Sequence, residues 1–502
     1  MNRLNPDIIF KHSSLSRDLA GASIRGGIST MTSQGMQIVL QMTGTIILAR
    51  LLTPADYGLI GMVTVVVNFA QMFKDAGLSV ATVQKDKISH EQISTLFWVN
   101  VFISVVLGGC VLVGSPLVAK FYGKPELAAV TAVLSISFIA SGLGVQHGAL
   151  LLRHMRFGNL AFIQIMSQMM TLSVTIILAL LGMRYWALVG GALTTAFCTV
   201  TLTFYFCPWI PGRIQKRSGV RDMLKFGGHI TGFEFINYFS RNFDNILIGR
   251  FIGADALGFY SKAYYLFMLP ITQIRTPINN VALPVLRTLK EEPGRYAQYY
   301  QRILDILSSI TIPLTFYCII EAEFIIELIL GSQWSAVVPV FRILAIAGVI
   351  QPIAGTRGLI LLSLGFSRKY LNWGVFNSAL IVIAFIIGLP YGIKGVATAY
   401  TAANYIILVP SLFYCFHGTP ITVSLFFKTV ALPFLTSCLV AVVIVLVKSI
   451  IIHDLIFFHF WIIAIFFIAY VALSSLRQSV RHTIYLIVKN IIFYIKDRSC
   501  VS

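Results

Sequence analysis

The sequence has 502 residues, of which 57% are hydrophobic and only 11% are charged. A soluble domain of this size needs far more charge to cover its surface, so the composition excludes an ordinary soluble enzyme and indicates a chain largely surrounded by lipid. The formal net charge is +19, but the basic residues fall between apolar stretches, which indicates an anionic membrane surface and excludes nucleic acid as the partner.

Apolar stretches long enough to cross the hydrocarbon core of a bilayer recur along the whole chain. They predict an all-α integral membrane protein of about fourteen transmembrane helices, with no extramembrane loop longer than about two dozen residues. The predicted spans are 30–52, 57–73, 92–114, 126–146, 159–182, 185–207, 224–249, 256–282, 303–330, 337–364, 370–389, 392–416, 428–450 and 455–475.

The basic residues are shared unevenly between alternate loops. When the N-terminus is placed in the cytoplasm, 26 of the 38 Lys and Arg residues fall on the cytoplasmic side and 7 fall on the opposite side. This asymmetry follows the positive-inside rule, so it predicts an even number of spans with both termini in the cytoplasm. Residues 476–498 mix apolar and basic positions at helical spacing, which predicts a helix on the anionic leaflet; a frayed tail is the alternative.

Segments 47–60 and 247–260 form an internal repeat that aligns without gaps at an offset of 200 residues. Six predicted spans separate the copies, so both halves face the same way, which predicts a parallel duplication with a binding site between the halves. The predicted organisation is a cytoplasmic segment 1–28, a six-helix bundle 29–212, a basic cytoplasmic linker 213–223, a second six-helix bundle 224–417, two extra transmembrane helices within 428–475 and a basic amphipathic cytoplasmic tail 476–502.

Polar side chains form matching stripes on the first helix of each half. Spacings of three, four and four residues put each stripe on one helical face. Polar groups in hydrocarbon need partners or water, so both stripes should face the interior of the bundle. The first stripe is Gln34, Gln37, Gln41 and Thr45, and the second, at the same offset, is Glu234, Asn237, Arg241 and Asn245.

Charged residues within the spans are candidates for a binding site, because charge inside a membrane is costly. Asp244 lies beside Arg241, and Lys262 and Arg275 follow on the next predicted helix. Two alternatives stay open: Glu234, Arg241 and Asp244 pair only to hold helices together, and Lys262 only extends to the outer interface. The candidate cavity residues are Gln34, Gln37, Gln41, Glu234, Asn237, Arg241, Asp244, Asn245, Lys262 and Arg275.

Catalytic and metal-binding patterns are missing from the sequence. The seven cysteines include no C-x-x-C pair, which predicts neither a disulfide nor a metal site. No Asp-x-Asp, G-x-S-x-G, H-E-x-x-H or P-loop pattern occurs, and no outer loop is large enough for the site of a membrane polymerase or glycosyltransferase. We therefore predict a protein that is not an enzyme and needs no cofactor.

Four stretches carry a family resemblance that covers nearly the whole chain in order. They resemble polysaccharide exporters of the multidrug/oligosaccharidyl-lipid/polysaccharide superfamily, close to the Wzx-type flippases of capsule, colanic acid and O-antigen. The stretches are ILARLLTPADYGLIGMV (47–63), SPLVAKFYGKPEL (115–127), LIGRFIGADALGFYSKAY (247–264) and VPVFRILA (338–345).

The resemblance implies two six-helix bundles with two extra C-terminal helices, alternately open to each side of the bacterial inner membrane. It implies that the cargo is a polyprenyl-diphosphate-linked oligosaccharide for capsule, exopolysaccharide or lipopolysaccharide O-antigen, whose lipid tail stays in the membrane lipid. A polysaccharide polymerase and other assembly proteins are implied partners, and H⁺ or Na⁺ is the implied coupling ion, although 30–49 lacks the acidic residue of some relatives. A multidrug exporter of the same superfamily is the alternative.

Arginine suits the diphosphate of such a cargo, because its guanidinium binds phosphate oxygens bidentately. We therefore predict that Arg241 and Arg275 contact the diphosphate. Glu234, Asn237 and Asp244 would position these two side chains.

Overall fold

The computed structural model describes residues 19–75, 77–85, 88–213, 238, 242–450 and 456–474. These residues are almost wholly helical, and none of them forms a β-strand. The predicted all-α fold is therefore confirmed. The first 18 residues, the linker from 214 to 223 and the predicted tail 476–502 lie outside the described residues.

Eighteen helices follow one another along the described chain. They are α1 (Leu19–Leu51), α2 (Pro54–Asp75), α3 (Leu78–Gln84), α4 (His90–Tyr122), α5 (Glu126–Arg153), α6 (Phe157–Leu180), α7 (Tyr185–Phe206), α8 (described over 242–251), α9 (Ala254–Thr288), α10 (Pro293–Ile320), α11 (Ala322–Ile329), α12 (Val337–Gly348), α13 (Gln351–Ala354), α14 (Arg357–Ser363), α15 (Ser367–Gly388), α16 (Gly392–Phe416), α17 (Val423–Ile450) and α18 (Ile456–Ser474).

Local sequence signals fix the ends of these helices, as α4 illustrates. The Ser89 hydroxyl accepts from the backbone N–H of Gln92, while the Gln92 side chain accepts from the Ser89 N–H, so two orphan donors are satisfied at the start. The helix ends at Gly123, whose φ of 67° lies in the left-handed region that glycine adopts without strain. Between these ends, Phe102, Val113 and other apolar side chains are exposed, as expected of a face in contact with lipid.

Length and hydropathy identify eight stretches of the described residues that could cross a membrane. One of them, 367–416, contains both α15 and α16, and the bent pair formed by 337–348 and 351–363 makes a ninth candidate. The chain is thus a multi-pass membrane protein. The count of fourteen spans and the parallel duplication stay predictions.

The tenth predicted span is broken rather than continuous. Residues 337–348 and 351–363 differ in direction by 41°, and Pro352 and Gly355 lie just after the break. Proline removes a backbone donor and glycine lowers the helical preference, so this sequence favours a bend.

The chain divides into two compact units. The first contains the described residues up to Ser261 together with Ile329–Trp334, and the second contains Lys262–Leu328 and the residues from Ser335 onward. The predicted bundle boundaries at 29–212 and 224–417 stay predictions.

Two glycines of the repeat make a reciprocal contact inside the first unit. A Cβ added to Gly58 would lie 1.8 Å from the carbonyl oxygen of Ala254, and one added to Gly258 would lie 2.0 Å from that of Pro54. The offset of 200 pairs Pro54 with Ala254 and Gly58 with Gly258, so each copy offers the same glycine and the same carbonyl. The starts of α2 and α9 therefore pack backbone against backbone, which only glycine permits.

The short segment 329–334 covers the turn that precedes α2, also within the first unit. The Trp334 indole is fully buried and donates to the carbonyl of Ala49 at 2.8 Å, while the Gln333 amide donates to Ala49 and Leu52. These carbonyls belong to the last turn of α1 and its cap, where a helix has no internal donors to offer. The Trp334 ring also meets Tyr57 edge-on at 5.5 Å.

In the second unit, a buried carboxylate joins the two C-terminal helices to α10. Glu321 accepts from Lys448 at the end of α17 and from His459 near the start of α18, both at 2.7 Å. The His459 ring stacks on Phe324 at 4.3 Å.

Candidate functional site

A cavity of about 620 Å³ lies within the first unit, between α2, α5, α6 and α7. Its size falls in the range of small-molecule sites, roughly 300–1,000 Å³. Apart from Lys74 and Asp75, the described residues that line it are aliphatic or carry hydroxyl or amide groups, and they include no aromatic ring. These helices thus line a partly polar, open-sided space.

The wall formed by α2 carries a polar stripe along most of its length. Thr64, Asn68, Gln71 and Asp75 follow one another at spacings of four, three and four residues, which places them on one face of the helix. Because such groups are costly in lipid, this face turns inward and the apolar residues of α2 cover the rest.

The opposite walls, formed by α5 and α7, carry hydroxyl groups that already donate their one hydrogen bond within the protein. Ser137 and Ser141 on α5, and Thr195 and Thr203 on α7, each donate to a carbonyl one turn back at 2.6–3.1 Å. The Thr195 hydroxyl also shares a hydrogen bond of 2.6 Å with the hydroxyl of Thr171 on α6. Thr64 on α2 donates to Ile60 in the same way, and Thr199 donates to the hydroxyl of Ser167 at 3.1 Å. The hydroxyl oxygens keep lone pairs that can accept a further hydrogen bond.

Charge is confined to one end of the cavity, where Lys74 and Asp75 end α2. The Asp75 carboxylate accepts from the backbone N–H of Ser79 at 2.8 Å and from its hydroxyl, so it caps the start of α3. The fully buried Asn100 donates to the carbonyl of Lys74 at 3.0 Å and accepts from Gln146 at 2.8 Å. This amide network fixes the charged end of the cavity in place.

Of the predicted first stripe, one residue reaches this cavity. Gln37 donates to Gln164 at 2.9 Å, and Gln164 lines the cavity. Gln34 and Gln41 are exposed, and Thr45 is buried and donates to the backbone carbonyl of Gln41 at 2.8 Å.

Of the predicted second stripe, Glu234, Asn237 and Arg241 lie outside the described residues. Asp244 is buried, and its carboxylate accepts from the Tyr260 hydroxyl at 3.0 Å and from the Asn245 N–H at 2.8 Å. The bond from Tyr260 joins α9 to α8.

The two intramembrane cations of α9 lie in the second unit. The Lys262 ammonium lies 5.8 Å from the centre of the Tyr265 ring. Arg275 is half-buried, and its guanidinium nitrogen lies 2.8 Å from the position that a Cβ on Gly355 would take. Arg275 therefore packs against the second piece of the tenth predicted span, where Gly355 makes room for it.

The polar face of α2 was missed by sequence reasoning, although the signal was present. Its residues recur with helical period inside the predicted span 57–73 and just beyond it. Among the described residues, no three His, Cys, Asp or Glu side chains lie close enough together to hold a metal ion.

Known sequences that resemble this chain include proteins of polysaccharide biosynthesis. The model of the family described as "Polysaccharide biosynthesis protein" matches residues 47–339. The teichuronic acid biosynthesis protein TuaB of Bacillus subtilis is 28% identical over 307 residues, which cover 61% of this chain and 64% of TuaB, under two thirds of its length. The lipopolysaccharide biosynthesis protein WzxC of Escherichia coli is 25% identical over 367 residues, covering 72% of this chain and 73% of WzxC.

Solved structures share the fold at low identity. The lipid II flippase MurJ in an inward closed conformation has a TM-score of 0.72 at 15% identity, over 90% of this chain and 98% of MurJ. A multidrug resistance MATE transporter of the MOP superfamily has a TM-score of 0.60 at 14% identity, over 77% of this chain and 97% of its own. Since the family model matches more than half of the 502 residues, the chain belongs to the polysaccharide biosynthesis protein family.

Proposed function

We propose that this chain is a flippase that moves a polyprenyl-diphosphate-linked oligosaccharide across the bacterial inner membrane for the synthesis of a surface polysaccharide. Membership of the polysaccharide biosynthesis family carries the proposal. A further relative, ExoT of Rhizobium meliloti, is named as a succinoglycan biosynthesis transport protein. The fold that the chain shares with the lipid II flippase suits the same kind of task.

The finer features of transport are proposed on physical grounds. The sugar head group cannot cross hydrocarbon unaided, whereas the polyprenyl tail can stay in the membrane lipid throughout. The protein alternates between access from each side, with both termini in the cytoplasm as the 26-to-7 division of basic residues indicates. Coupling to H⁺ or Na⁺ and cooperation with a polymerase and other assembly proteins belong to the same proposal.

Two other functions fit less well. A multidrug exporter, like the MATE transporters of the same fold, would bind aromatic cations best in an aromatic or acidic cavity. The described lining of the cavity has no aromatic ring and carries one Lys beside one Asp. A polymerase or glycosyltransferase would need a reactive acid or base at its site, and Asp75 is committed to Ser79.

Deleting the gene in its source organism tests the proposal. We expect surface polysaccharide to be lost and the lipid-linked oligosaccharide to accumulate in the cytoplasmic leaflet, where an impermeant oxidant added to spheroplasts cannot reach its sugars. If the oligosaccharide instead accumulates within reach of the oxidant, the protein acts after translocation, as a polymerase would. Complementation with the intact gene is the control.

Replacing Arg275 with alanine is expected to lower export at least about tenfold, because a hydrogen bond to a charged group contributes about 1.5–3 kcal/mol. Arg275→Lys should restore only part of the activity, since lysine cannot bind a diphosphate bidentately. Arg241→Ala should behave like Arg275→Ala. Surface polysaccharide is measured at matched protein levels.

Arg287→Ala is the matched control, because Arg287 lies on the same helix and is exposed near its end. It should leave export within about twofold of the unchanged protein. Normal export by both Arg275→Ala and Arg241→Ala would remove these residues from the path of the diphosphate and leave the flippase proposal standing.

A further inference from the structure

The cavity of the first unit presents mainly acceptors to whatever it holds. Seven described lining residues carry a hydroxyl group. Five of these groups donate to carbonyls of their own helices, that of Thr199 donates to Ser167, and that of Ser79 donates to Asp75. A hydroxyl that already donates its one hydrogen bond can only accept further hydrogen bonds. The amides of Asn68, Gln71 and Gln164 can both donate and accept.

This arrangement selects against the diphosphate of the cargo. The oxygens of an ionised diphosphate only accept hydrogen bonds. They therefore need donors or positive charge around them, as arginine clusters supply. The one cationic donor among the described lining residues is Lys74, at the end of the cavity beside Asp75. The space between the hydroxyl walls therefore suits a neutral group that brings its own donors.

A saccharide has this chemistry. Its hydroxyl groups donate to acceptors such as Thr64 and Thr195, and its ring oxygens accept from amides. Its C–H faces pack against the aliphatic residues of the same walls, of which Ile60 and Val189 are examples. The volume of about 620 Å³ lies within the usual range for a small organic ligand.

We propose that the cavity lined by α2, α5, α6 and α7 is a saccharide subsite, which binds the neutral sugars of the head group through acceptor hydroxyls on Thr64, Thr195 and Thr199. The diphosphate binds elsewhere. This inference rests on the proposed flippase function and assigns one part of its cargo to one part of the chain. It makes the first unit the region that distinguishes one glycan from another.

The test measures binding of two probes to the purified full chain in nanodiscs. One probe is the lipid-linked oligosaccharide extracted from the source organism, and the other is undecaprenyl diphosphate, which has no sugar. The unchanged protein should bind the first probe about tenfold more tightly, the effect of one or two net hydrogen bonds. In the triple variant Thr64→Val, Thr195→Val, Thr199→Val, the two affinities should become equal, because valine keeps the shape of threonine and lacks its hydroxyl.

The matched control is Thr175→Val, which removes a buried threonine of α6 that also donates one turn back but does not line the cavity. It should keep the tenfold preference. Unchanged binding of undecaprenyl diphosphate shows that the triple variant is folded; if it is lost, each single Thr→Val variant is measured instead.

Each remaining outcome overturns a stated part of the argument. A preference that survives in the triple variant, or that is missing from the unchanged protein, overturns the saccharide subsite and leaves the flippase proposal intact. Failure of the unchanged protein to bind either probe overturns the proposed function itself.

Discussion

Replacing Gly58 with leucine is expected to abolish export and to leave little folded protein. A Cβ at this position would lie 1.8 Å from the carbonyl oxygen of Ala254, and the obstacle is backbone that cannot rotate away. The starts of α2 and α9 would have to separate, which would also expose the buried Trp334 that meets Phe259 edge-on at 6.0 Å. We expect a loss of stability of about 3 kcal/mol or more, at the upper end of overpacking.

Gly258→Leu should have the same effect, because a Cβ there would lie 2.0 Å from the carbonyl oxygen of Pro54. Gly109→Leu is the matched control: this glycine lies on α4, is exposed and has nothing within 4 Å of the position of its Cβ. Thermal unfolding in detergent and the yield of monodisperse protein measure the effect. A Gly58→Leu protein as stable as Gly109→Leu would show that α2 and α9 do not meet at these glycines.

Hydropathy alone predicts most of the helices, because each span must satisfy its own backbone inside lipid. The predicted spans 126–146 and 185–207 correspond to α5 and α7, which begin at the predicted residues. The tenth span was predicted as one stretch, 337–364, and is broken between Gly348 and Gln351. An average over about twenty residues cannot detect such a break, because its side chains remain apolar.

The family was also predicted from the sequence and is confirmed, whereas the cavity was not predicted. The candidate residues came from two polar stripes, on the first helix of each half, and from charges within the spans such as Arg275 and Lys262. The cavity depends instead on uncharged residues such as Thr64 and Thr199, whose hydroxyls occur throughout membrane helices bonded to their own backbone. Only the meeting of several helices shows that these hydroxyls share one space.

The buried carboxylate of Glu321, which pairs with Lys448 and His459, is the site of the second large expected loss of stability. Glu321→Leu is expected to destabilise the protein by about 3 kcal/mol, because it leaves the Lys448 ammonium without its partner in a site where the carboxylate side chain is fully buried. The loss should loosen α17 and α18, since His459 loses the same partner. Thermal unfolding measures the loss of stability, and limited proteolysis detects the release of the C-terminal helices.

A second substitution separates the ion pair from simple packing. The double variant Glu321→Leu, Lys448→Met removes the lysine charge that Glu321→Leu alone leaves unpaired, so much of the lost stability should return. The double-mutant cycle of these two substitutions gives the coupling energy of the pair. Glu323→Gln is the control, because Glu323 meets Arg342 at 3.3 Å with both side chains exposed, and such surface pairs contribute about 1 kcal/mol or less. Equal losses for Glu321→Leu and Glu323→Gln would mean that the buried carboxylate does not hold α17 and α18 to α10.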